Sequence, residues 1–339
     1  MLDLFPSREA SPFGRRAKRE RGARIPVTVV TGFLGAGKTT LIRRFLGSPE
    51  GRGTAVIVNE YGAVGIDDAL LRDSAEEIVL LGNGCVCCIT RTDLQVALRR
   101  LLFDRERGIV PPFARVIIET SGLADPAPIL QTFSTDRALG GEFHIDVLLA
   151  VIDAVNGGAA LDVAPEARKQ AILADRLVIS KADLAPPAAV EALTRRLQQL
   201  NPRAAIDIAI SGALDPERLI EPATGERSAF LAEAEHGDGI SSFIIAQQPP
   251  FEWPIFSRAM ETLLALRGAD LLRAKGILNV VGCSGPVVVQ YVQHLAHPPV
   301  ELQSWPDESR LSRVVFITRN IPERQVRDLF AAVQALAKA

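Results

Sequence analysis

The stretch that most constrains this chain is GFLGAGKTT, at residues 32–40. It satisfies the pattern G-x-x-x-x-G-K-[ST], whose fixed positions are occupied by Gly32, Gly37, Lys38 and Thr39. The preceding β-branched run, VTVVT, predicts a buried strand, and a helix is expected to begin near Lys38. Glycines allow a sharp turn between the two, so that backbone N–H groups and the positive end of the helix can face a bound phosphate.

A loop of this kind assigns roles to several residues. Lys38 is predicted to reach the β- and γ-phosphates of a nucleotide and to act in catalysis, and the Thr39 hydroxyl is predicted to bind Mg²⁺. The other predicted phosphate contacts of the loop are Gly35, Ala36 and Thr40. A chance glycine turn before a helix is the competing interpretation, but strand, loop and helix follow one another in the order that the motif requires.

Composition limits the class of protein. The chain has 339 residues, enough for about two domains, with a net charge of −2 and a pI of about 6.2. This charge balance does not favour nucleic-acid binding, and no apolar run is long enough to cross a membrane. Three of the four cysteines fall within four positions, which indicates a reducing compartment, predicted to be the cytoplasm, and metal or redox chemistry.

The sequence predicts a tail followed by two domains. Residues 1–24 carry seven basic and three acidic side chains without an apolar period, which favours a disordered solvated tail over a docking arm. Residues 25–236 are predicted to form the nucleotide-binding domain. The sequence Gly237-Asp238-Gly239 breaks the pattern, so residues 237–339 are predicted to form a second domain.

In the first domain, strand-like runs alternate with helical patterns such as Asp93–Phe103 and Pro187–Leu200. This alternation predicts an α/β fold with a mostly parallel sheet, in which ligands bind at the carboxyl ends of the strands. After the strand that precedes the glycine loop, the predicted strands are Thr54–Asn59, Ile78–Leu81, Arg115–Thr120, Asp146–Ile152, Arg176–Ile179 and Ala205–Ile210.

Two carboxylates follow predicted strands. Glu60, in NEYG at residues 59–62, could act on Mg²⁺, water or a second metal, and a polar loop is the competing interpretation. Glu119, in ETSG at residues 119–122, is predicted to be catalytic, because a carboxylate at this position can hold Mg²⁺ or order the attacking water. Gly122 would let the backbone approach the γ-phosphate.

The sequence GCVCC at residues 84–88 is the second strong signal. Thiolates suit Zn²⁺, Cu(I) and, by geometry, Co²⁺, so Cys85, Cys87 and Cys88 are predicted metal ligands. Three protein ligands leave a fourth tetrahedral position open, which suits metal transfer better than a permanent structural role. A redox-active thiol pair and simple packing are the alternatives, and the clustering of three cysteines argues against packing.

The sequence SKAD at residues 180–183 resembles the guanine-reading pattern N-K-x-D. In that pattern the Asp carboxylate accepts two hydrogen bonds from the guanine N1–H and exocyclic amine, a donor pair that adenine lacks. Lys181 and Asp183 are therefore predicted to bind the base. Ser180 replaces the asparagine, which leaves one supporting hydrogen bond in doubt, and a capped loop is the competing interpretation.

The motifs GFLGAGKTT, NEYG, GCVCC, ETSGLADP and SKAD, in this order, resemble those of the CobW-type GTPases. This family comprises nucleotide-dependent metallochaperones related to the urease and hydrogenase maturation GTPases. The resemblance covers residues 25–339 and implies a P-loop NTPase domain followed by a smaller α+β domain that contacts clients or modulates the first domain. It also implies GTP binding with Mg²⁺, slow GTP hydrolysis, and delivery of zinc or cobalt to a client metalloprotein or cofactor-synthesis enzyme. Whether two copies of the protein form a homodimer is left to experiment.

Carried over by position, the resemblance supports the roles given above and makes Glu60 a neighbouring ligand of the cysteine site. Ala63 departs from the family, because many relatives carry a glutamate there. A histidine-rich metal-storage stretch is also absent, since the only histidines are His144, His236, His294 and His297.

The second domain is predicted to be a small antiparallel sheet with helices. Its predicted elements are a strand at Ser242–Ala246, a helix at Pro254–Arg267, strands at Ile277–Val281, Val287–His294 and Arg313–Thr318, and a helix at Pro322–Ala337. His294 and His297 could bind metal, but a partly exposed imidazole in a proline-rich turn is the favoured interpretation.

Two other hypotheses remain open at this point. The first is a P-loop ATPase or kinase with a structural zinc site, which a comparison of GTP and ATP hydrolysis would separate from the GTPase. The second is a redox-regulated nucleotide-binding module whose cysteines oxidise instead of holding metal.

Overall fold

A computed structural model describes residues 24–58, 79–81, 91–202, 204–220, 234–236, 240–302, 304–305 and 310–338. Residues 1–23 of the predicted tail, Glu60 and the three clustered cysteines lie outside the described residues. The chain divides into two compact units, one spanning Ile25–Leu231 and a second that includes Ala232–Ala339.

The first unit is built on a sheet of seven strands. They are β1 (Ile25–Thr31), β2 (Thr54–Val58), β3 (Val79–Leu81), β4 (Arg115–Glu119), β5 (Phe143–Asp153), β6 (Arg176–Ser180) and β7 (Ala205–Ile208). Their order in the sheet is β3-β2-β4-β1-β5-β6-β7, and every neighbouring pair is parallel. Because all seven run the same way, the residues that follow β1, β4, β5 and β6 meet at one edge.

Helices cover the faces of this sheet. The described ones are α1 (Lys38–Leu46), α2 (Arg91–Glu106), α3 (Ala127–Thr135), α4 (Arg137–Glu142), α5 (Gly157–Val163), α6 (Pro165–Leu173), α7 (Pro187–Leu200) and α8 (Pro216–Ile220), with 3₁₀ turns at Pro49–Gly51 and Ala182–Leu184. Proline opens α6, α7 and α8, where its fixed φ and missing N–H suit the first helical position.

The two faces of the central strands pack into different clusters, because successive side chains point to opposite sides of the sheet. On β5, Leu149 and Val151 join one buried cluster that includes Ile42 of α1. Ala150 and Ile152 join a second buried cluster, on the other face, that includes residues of α5, α6 and α7. A sheet covered on both faces explains why its central strands read as continuous apolar runs.

The second unit contains an antiparallel sheet. Its strands are β8 (Ala234–His236), β9 (Ile240–Gln247), β10 (Leu271–Leu278), β11 (Val287–Val292), β12 (Leu295–Ala296), β13 (Val300–Glu301) and β14 (Ser312–Arg319), in the order β12-β11-β10-β14-β9-β8 with β13 paired to β11. The described helices α9 (Trp253–Arg267) and α10 (Glu323–Lys338) pack on this sheet through an aromatic-rich core that includes Phe251, Phe256, Tyr291 and Phe316.

The predicted fold class is confirmed: a parallel α/β unit is followed by a smaller antiparallel unit with helices. One predicted strand is wrong, since β10 spans Leu271–Leu278 and not Ile277–Val281. The charged residues Arg273 and Lys275 interrupt the apolar pattern of β10, so the sequence pattern did not reveal where this strand begins. The boundary predicted at 236/237 falls after β8, which pairs with β9 in the second sheet. No helix among the described residues is long and apolar enough to cross a membrane.

Candidate functional site

The loop between β1 and α1 has the geometry of an anion site. Gly32 has a φ of +145°, and a Cβ there would lie 2.3 Å from the Val151 carbonyl oxygen of β5, so only glycine fits. Gly37 precedes α1 with a φ of +89°, and neither a side-chain cap nor an acidic residue occupies the first turn of the helix. Neither a capping side chain nor a carboxylate therefore competes with an anion at the N-terminus of α1.

Lys38 turns its side chain back into this loop. Its Nζ donates to the carbonyl oxygens of Gly32, at 2.9 Å, and Phe33, at 3.3 Å, and the residue is only 8% exposed. The ammonium group is thus held inside the curve of the loop, where it can meet phosphate oxygens as a positive charge.

The side chains of Thr39 and Glu119 meet across the site. The Thr39 hydroxyl donates to Glu119 Oε1 at 2.7 Å, and these residues are separated by 80 positions in the sequence. Glu119, the last residue of β4, is buried. A hydroxyl and a carboxylate at this distance are oxygen donors that suit a hard cation such as Mg²⁺.

Ser180 ties β6 to the phosphate loop. Its hydroxyl donates to the Ala36 carbonyl oxygen at 2.7 Å and also approaches the Ile152 carbonyl oxygen at 3.3 Å. A serine at this position therefore still supplies a hydrogen bond to the phosphate loop, and the guanine-binding role of the SKAD segment stays a prediction. The SKAD segment at residues 180–183 and the phosphate loop are joined directly.

Lys181 is held by a buried carboxylate at the end of β5. Its Nζ donates to Asp153 Oδ2 at 2.8 Å, and its backbone is left-handed with a φ of +55°. Asp153 also accepts from the backbone N–H groups of Val155, at 2.8 Å, and Asn156, at 3.3 Å. Burial raises the pKa of Asp153, but the bond from Lys181 and these N–H donors outweigh it and lower the pKa below its usual value.

Asp183 is exposed and is oriented by a turn after β7. The Ser211 N–H donates to Asp183 Oδ1 at 2.8 Å, and the Ser211 hydroxyl donates to Oδ2 at 3.1 Å. The backbone N–H of Ser211 is the main cause that lowers the pKa of Asp183 and keeps the carboxylate charged.

Ser211 was missed by the sequence reasoning. Its signal was a Ser-Gly pair directly after the predicted strand Ala205–Ile210. Such pairs are too common to indicate a site unless the fold is known to place them beside Asp183. The same turn packs on α1, because a Cβ on Gly212 would lie 2.8 Å from Thr40 Cγ2.

Gly122 packs against the phosphate loop. A Cβ there would lie 2.7 Å from the Leu34 Cα atom, so the backbone after β4 contacts the loop with no side chain between them. Gly35 is exposed at the tip of the loop, and Ala36 is buried beneath it.

The structure thus brings together the predicted residues of the phosphate loop, those at the ends of β4 and β6, and Asp183. It does not test the roles predicted for Glu60, Cys85, Cys87 and Cys88, which lie outside the described residues. Within the described part of the chain, no group of three or more His, Cys, Asp or Glu side chains could hold a metal ion.

A parallel sheet whose first strand leads through a phosphate loop into a helix defines a P-loop nucleoside-triphosphate-binding protein. The chain belongs to the CobW/HypB/UreG family, whose nucleotide-binding domain matches residues 26–207. The cobalamin synthesis protein CobW C-terminal domain matches residues 240–334.

Two relatives and one solved structure illustrate the likeness. The zinc chaperone YjiA of Escherichia coli strain K12 is 37% identical over 320 residues, which cover 91% of this chain and 99% of that protein. The zinc-regulated GTPase metalloprotein activator 1 of Schizosaccharomyces pombe is 36% identical over 198 residues, which cover 56% of this chain and 47% of that protein. A crystal structure of Zn(II)-bound YjiA GTPase from E. coli aligns with a TM-score of 0.66 and 31% identity, covering 91% of this chain and 99% of that chain.

Proposed function

We propose that this protein is a GTP-hydrolysing metallochaperone that binds zinc through its cysteine cluster and delivers it to a client protein. The observation that carries the nucleotide half of this proposal is the contact between Thr39 and Glu119 at the mouth of a phosphate loop. The metal half rests on the GCVCC sequence, on the family, and on relatives that are named zinc chaperones.

The described residues can support phosphoryl transfer. Lys38 supplies a positive charge to the β- and γ-phosphates, and the N–H groups of the loop and α1 supply hydrogen bonds. Thr39 and Glu119 would hold Mg²⁺, which neutralises charge on the phosphates when it is bound. Glu119 would also orient the attacking water.

Asp183 and Lys181 give the proposed preference for guanine. Ser211 presents the Asp183 carboxylate with both oxygens fixed, which suits the paired donors of a guanine base. Asp153 holds the Lys181 ammonium, so that the alkyl stem of the lysine can lie over the base face.

Zinc is the proposed cargo, with Co²⁺ as the alternative metal to test. Cys85, Cys87 and Cys88 are the proposed ligands and Glu60 a neighbouring one. These thiolates require a reducing compartment, and we assign the protein to the cytoplasm on that ground. The client would be a metalloprotein or an enzyme of metal-cofactor synthesis, and a homodimer remains to be tested.

Nucleotide specificity tests the first half of the proposal. Asp183→Asn replaces a pure acceptor by a side chain that can accept only one of the two guanine hydrogen bonds. We expect it to weaken GTP and GDP binding at least about tenfold while ATP binding stays weak. Fluorescent-nucleotide titrations measure both, and a wild-type protein that hydrolyses ATP as well as GTP would contradict the assignment.

Metal content tests the second half. Combined replacement of Cys85, Cys87 and Cys88 by serine is expected to abolish zinc binding, measured by elemental analysis and by competition with a chromophoric chelator under reducing conditions. Cys283→Ser is the matched control, because this half-buried cysteine belongs to the second unit. Equal loss of zinc in both variants, or no loss in the triple variant, would contradict the cysteine site.

A further inference from the structure

A buried glutamine on α6 holds the backbone segment that follows β4. Gln170 is completely buried, and its Nε2 donates to the carbonyl oxygens of Gly122, at 3.1 Å, and Ala124, at 3.0 Å. Both hydrogens of one side-chain amide are therefore used on the three residues 122–124, which lie 46 to 48 positions away in the sequence.

The orientation of this amide is fixed by its neighbours. A flipped amide would place its oxygen against two carbonyl oxygens, which is repulsive. In the orientation present, Gln170 Oε1 is buried and has no hydrogen-bond partner among the described residues. An amide that leaves its own oxygen unsatisfied while donating twice to one segment is placed to hold that segment.

The adjacent residue of α6 anchors the same segment at its other end. Lys169 forms an ion pair with Asp125, whose Oδ1 accepts the Ala127 N–H at the start of α3. Consecutive residues of α6 thus bind the segment from Gly122 to Asp125, which leads from β4 to α3.

The held segment packs against the phosphate loop, beside which we propose that the γ-phosphate binds. Gly122 lies three residues after Glu119 and packs against Leu34 of the phosphate loop. The Gly122 carbonyl oxygen accepts a hydrogen bond from Gln170, whereas the Gly122 N–H donates to none of the described residues. That N–H can meet a γ-phosphate oxygen of GTP, which GDP does not supply.

We propose that Gln170 is a positioning residue that sets the Gly122–Ala124 backbone for γ-phosphate recognition, and so controls how well the protein distinguishes GTP from GDP. This inference rests on the proposed GTPase function. Gln170 itself does not touch the nucleotide. It acts through the peptide groups that do, and the ion pair of Lys169 with Asp125 limits how far they can move.

The test replaces Gln170 by methionine, which has a similar volume and no amide hydrogens, and by glutamate, which keeps the acceptor and loses both donors. Affinities for GDP and for a non-hydrolysable GTP analogue are measured with kcat and the melting temperature. We expect GDP affinity within about twofold of wild type, and both kcat and the analogue-to-GDP affinity ratio lower by about tenfold.

Asn201 provides a matched control. It is also a buried amide, and its Nδ2 donates to the carbonyl oxygens of Ala171, Ile172 and Ala174 at the end of α6. None of these carbonyl groups belongs to the segment from Gly122 to Asp125. Asn201→Ala is expected to lower the melting temperature and to leave the analogue-to-GDP affinity ratio unchanged.

The outcomes separate the two claims. A Gln170→Met variant with a wild-type affinity ratio and kcat overturns the inference while the GTPase proposal stands. A wild-type protein that binds neither nucleotide overturns both. If Gln170→Met does not fold, amide hydrogen exchange of residues 120–126 is measured in Gln170→Glu. Exchange equal to that of wild type overturns the inference. Faster exchange that is confined to this segment supports it.

Discussion

Ser180 joins two segments of the candidate nucleotide site through one hydroxyl. The asparagine of the usual guanine-reading pattern is missing, yet the Ser180 hydroxyl reaches the Ala36 carbonyl oxygen directly. The serine is buried, so this bond is shielded from water and links the two halves of the nucleotide site. Its loss would leave a buried carbonyl without this donor.

Ser180→Ala is therefore expected to weaken the binding of GTP and of GDP by the same factor. The expected factor is roughly five- to tenfold, which corresponds to about 1 kcal/mol for one buried hydrogen bond. Titration with a fluorescent nucleotide measures it. Thr194→Ala is the control, because it removes a hydroxyl-to-carbonyl bond of similar length within α7. A selective loss of GTP binding, with GDP binding unchanged, would contradict the role given to Ser180.

His297 is a residue of the second unit with an unusual environment. Burial first, and then the positive charge of Arg273, lower the pKa of His297 to about 3. The residue is only partly exposed, and its Nε2 is buried without a hydrogen-bond partner among the described residues. The imidazole is therefore neutral in the folded protein at any pH near neutrality.

The lowered pKa of His297 makes the stability of the folded protein depend on pH in a defined direction. Between the folded pKa and the unfolded value of about 6.5, the unfolded chain binds more protons, so stability falls as the pH drops below about 6.5. We expect this histidine to account for about 2 kcal/mol of the loss in unfolding free energy between about pH 7 and pH 5. Urea denaturation at both pH values measures it, with His294→Asn as the control. The same pH dependence in wild type and His297→Asn would rule out this source.

At the scale of elements, the loop between β1 and α1 depends on one glycine more than on the others. Gly32 is confined by the Val151 carbonyl of the neighbouring strand β5, so any side chain there pushes β1 and β5 apart. The motif alone predicted a glycine at this position, but it did not reveal that the neighbouring strand, and not a phosphate, excludes the Cβ.

Gly32→Ala is expected to destabilise the protein by at least about 3 kcal/mol, because the clash with backbone adds to a strained φ. Gly158→Ala, at a helical position in α5 with open space around the Cβ, is expected to be neutral or stabilising by up to about 1 kcal/mol. Thermal unfolding compares the two, and a Gly32→Ala variant as stable as Gly158→Ala would contradict the packing described for this loop.

Elements with strong periodicity could be predicted from the sequence. The bounds of Pro187–Leu200 were predicted as observed, because proline opens that helix and a regular apolar face follows. Helices α5 and α6 were not predicted, since GGAALDV and PEARKQAIL are short and carry weak patterns. Gln170 consequently went unnoticed, because nothing local marks a glutamine whose partners are 46 to 48 residues earlier.

At the scale of the whole molecule, parallel strand order assembles the nucleotide site from distant parts of the chain. β1 lies between β4 and β5, so the residues after these strands and β6 gather beside the phosphate loop. The motifs were readable in the sequence, but their distances and hydrogen bonds depend on pairings between strands that no local pattern encodes. Ser211 and Asp153 entered the site in this way.

The cysteine cluster lies in sequence between the NEYG segment, which carries the proposed ligand Glu60, and the ETSG segment, which we propose to sense the γ-phosphate. A change in nucleotide state would therefore act on the chain that carries the thiolates. Such coupling is reciprocal: if GTP tightens zinc binding by some factor, zinc must tighten GTP binding by the same factor.

The most direct test of this coupling is a zinc titration of the protein loaded with a non-hydrolysable GTP analogue or with GDP. We predict zinc dissociation constants that differ by at least about fivefold between the two states, and the same factor when the analogue is titrated with and without zinc. Equal zinc affinities in the two nucleotide states would contradict it.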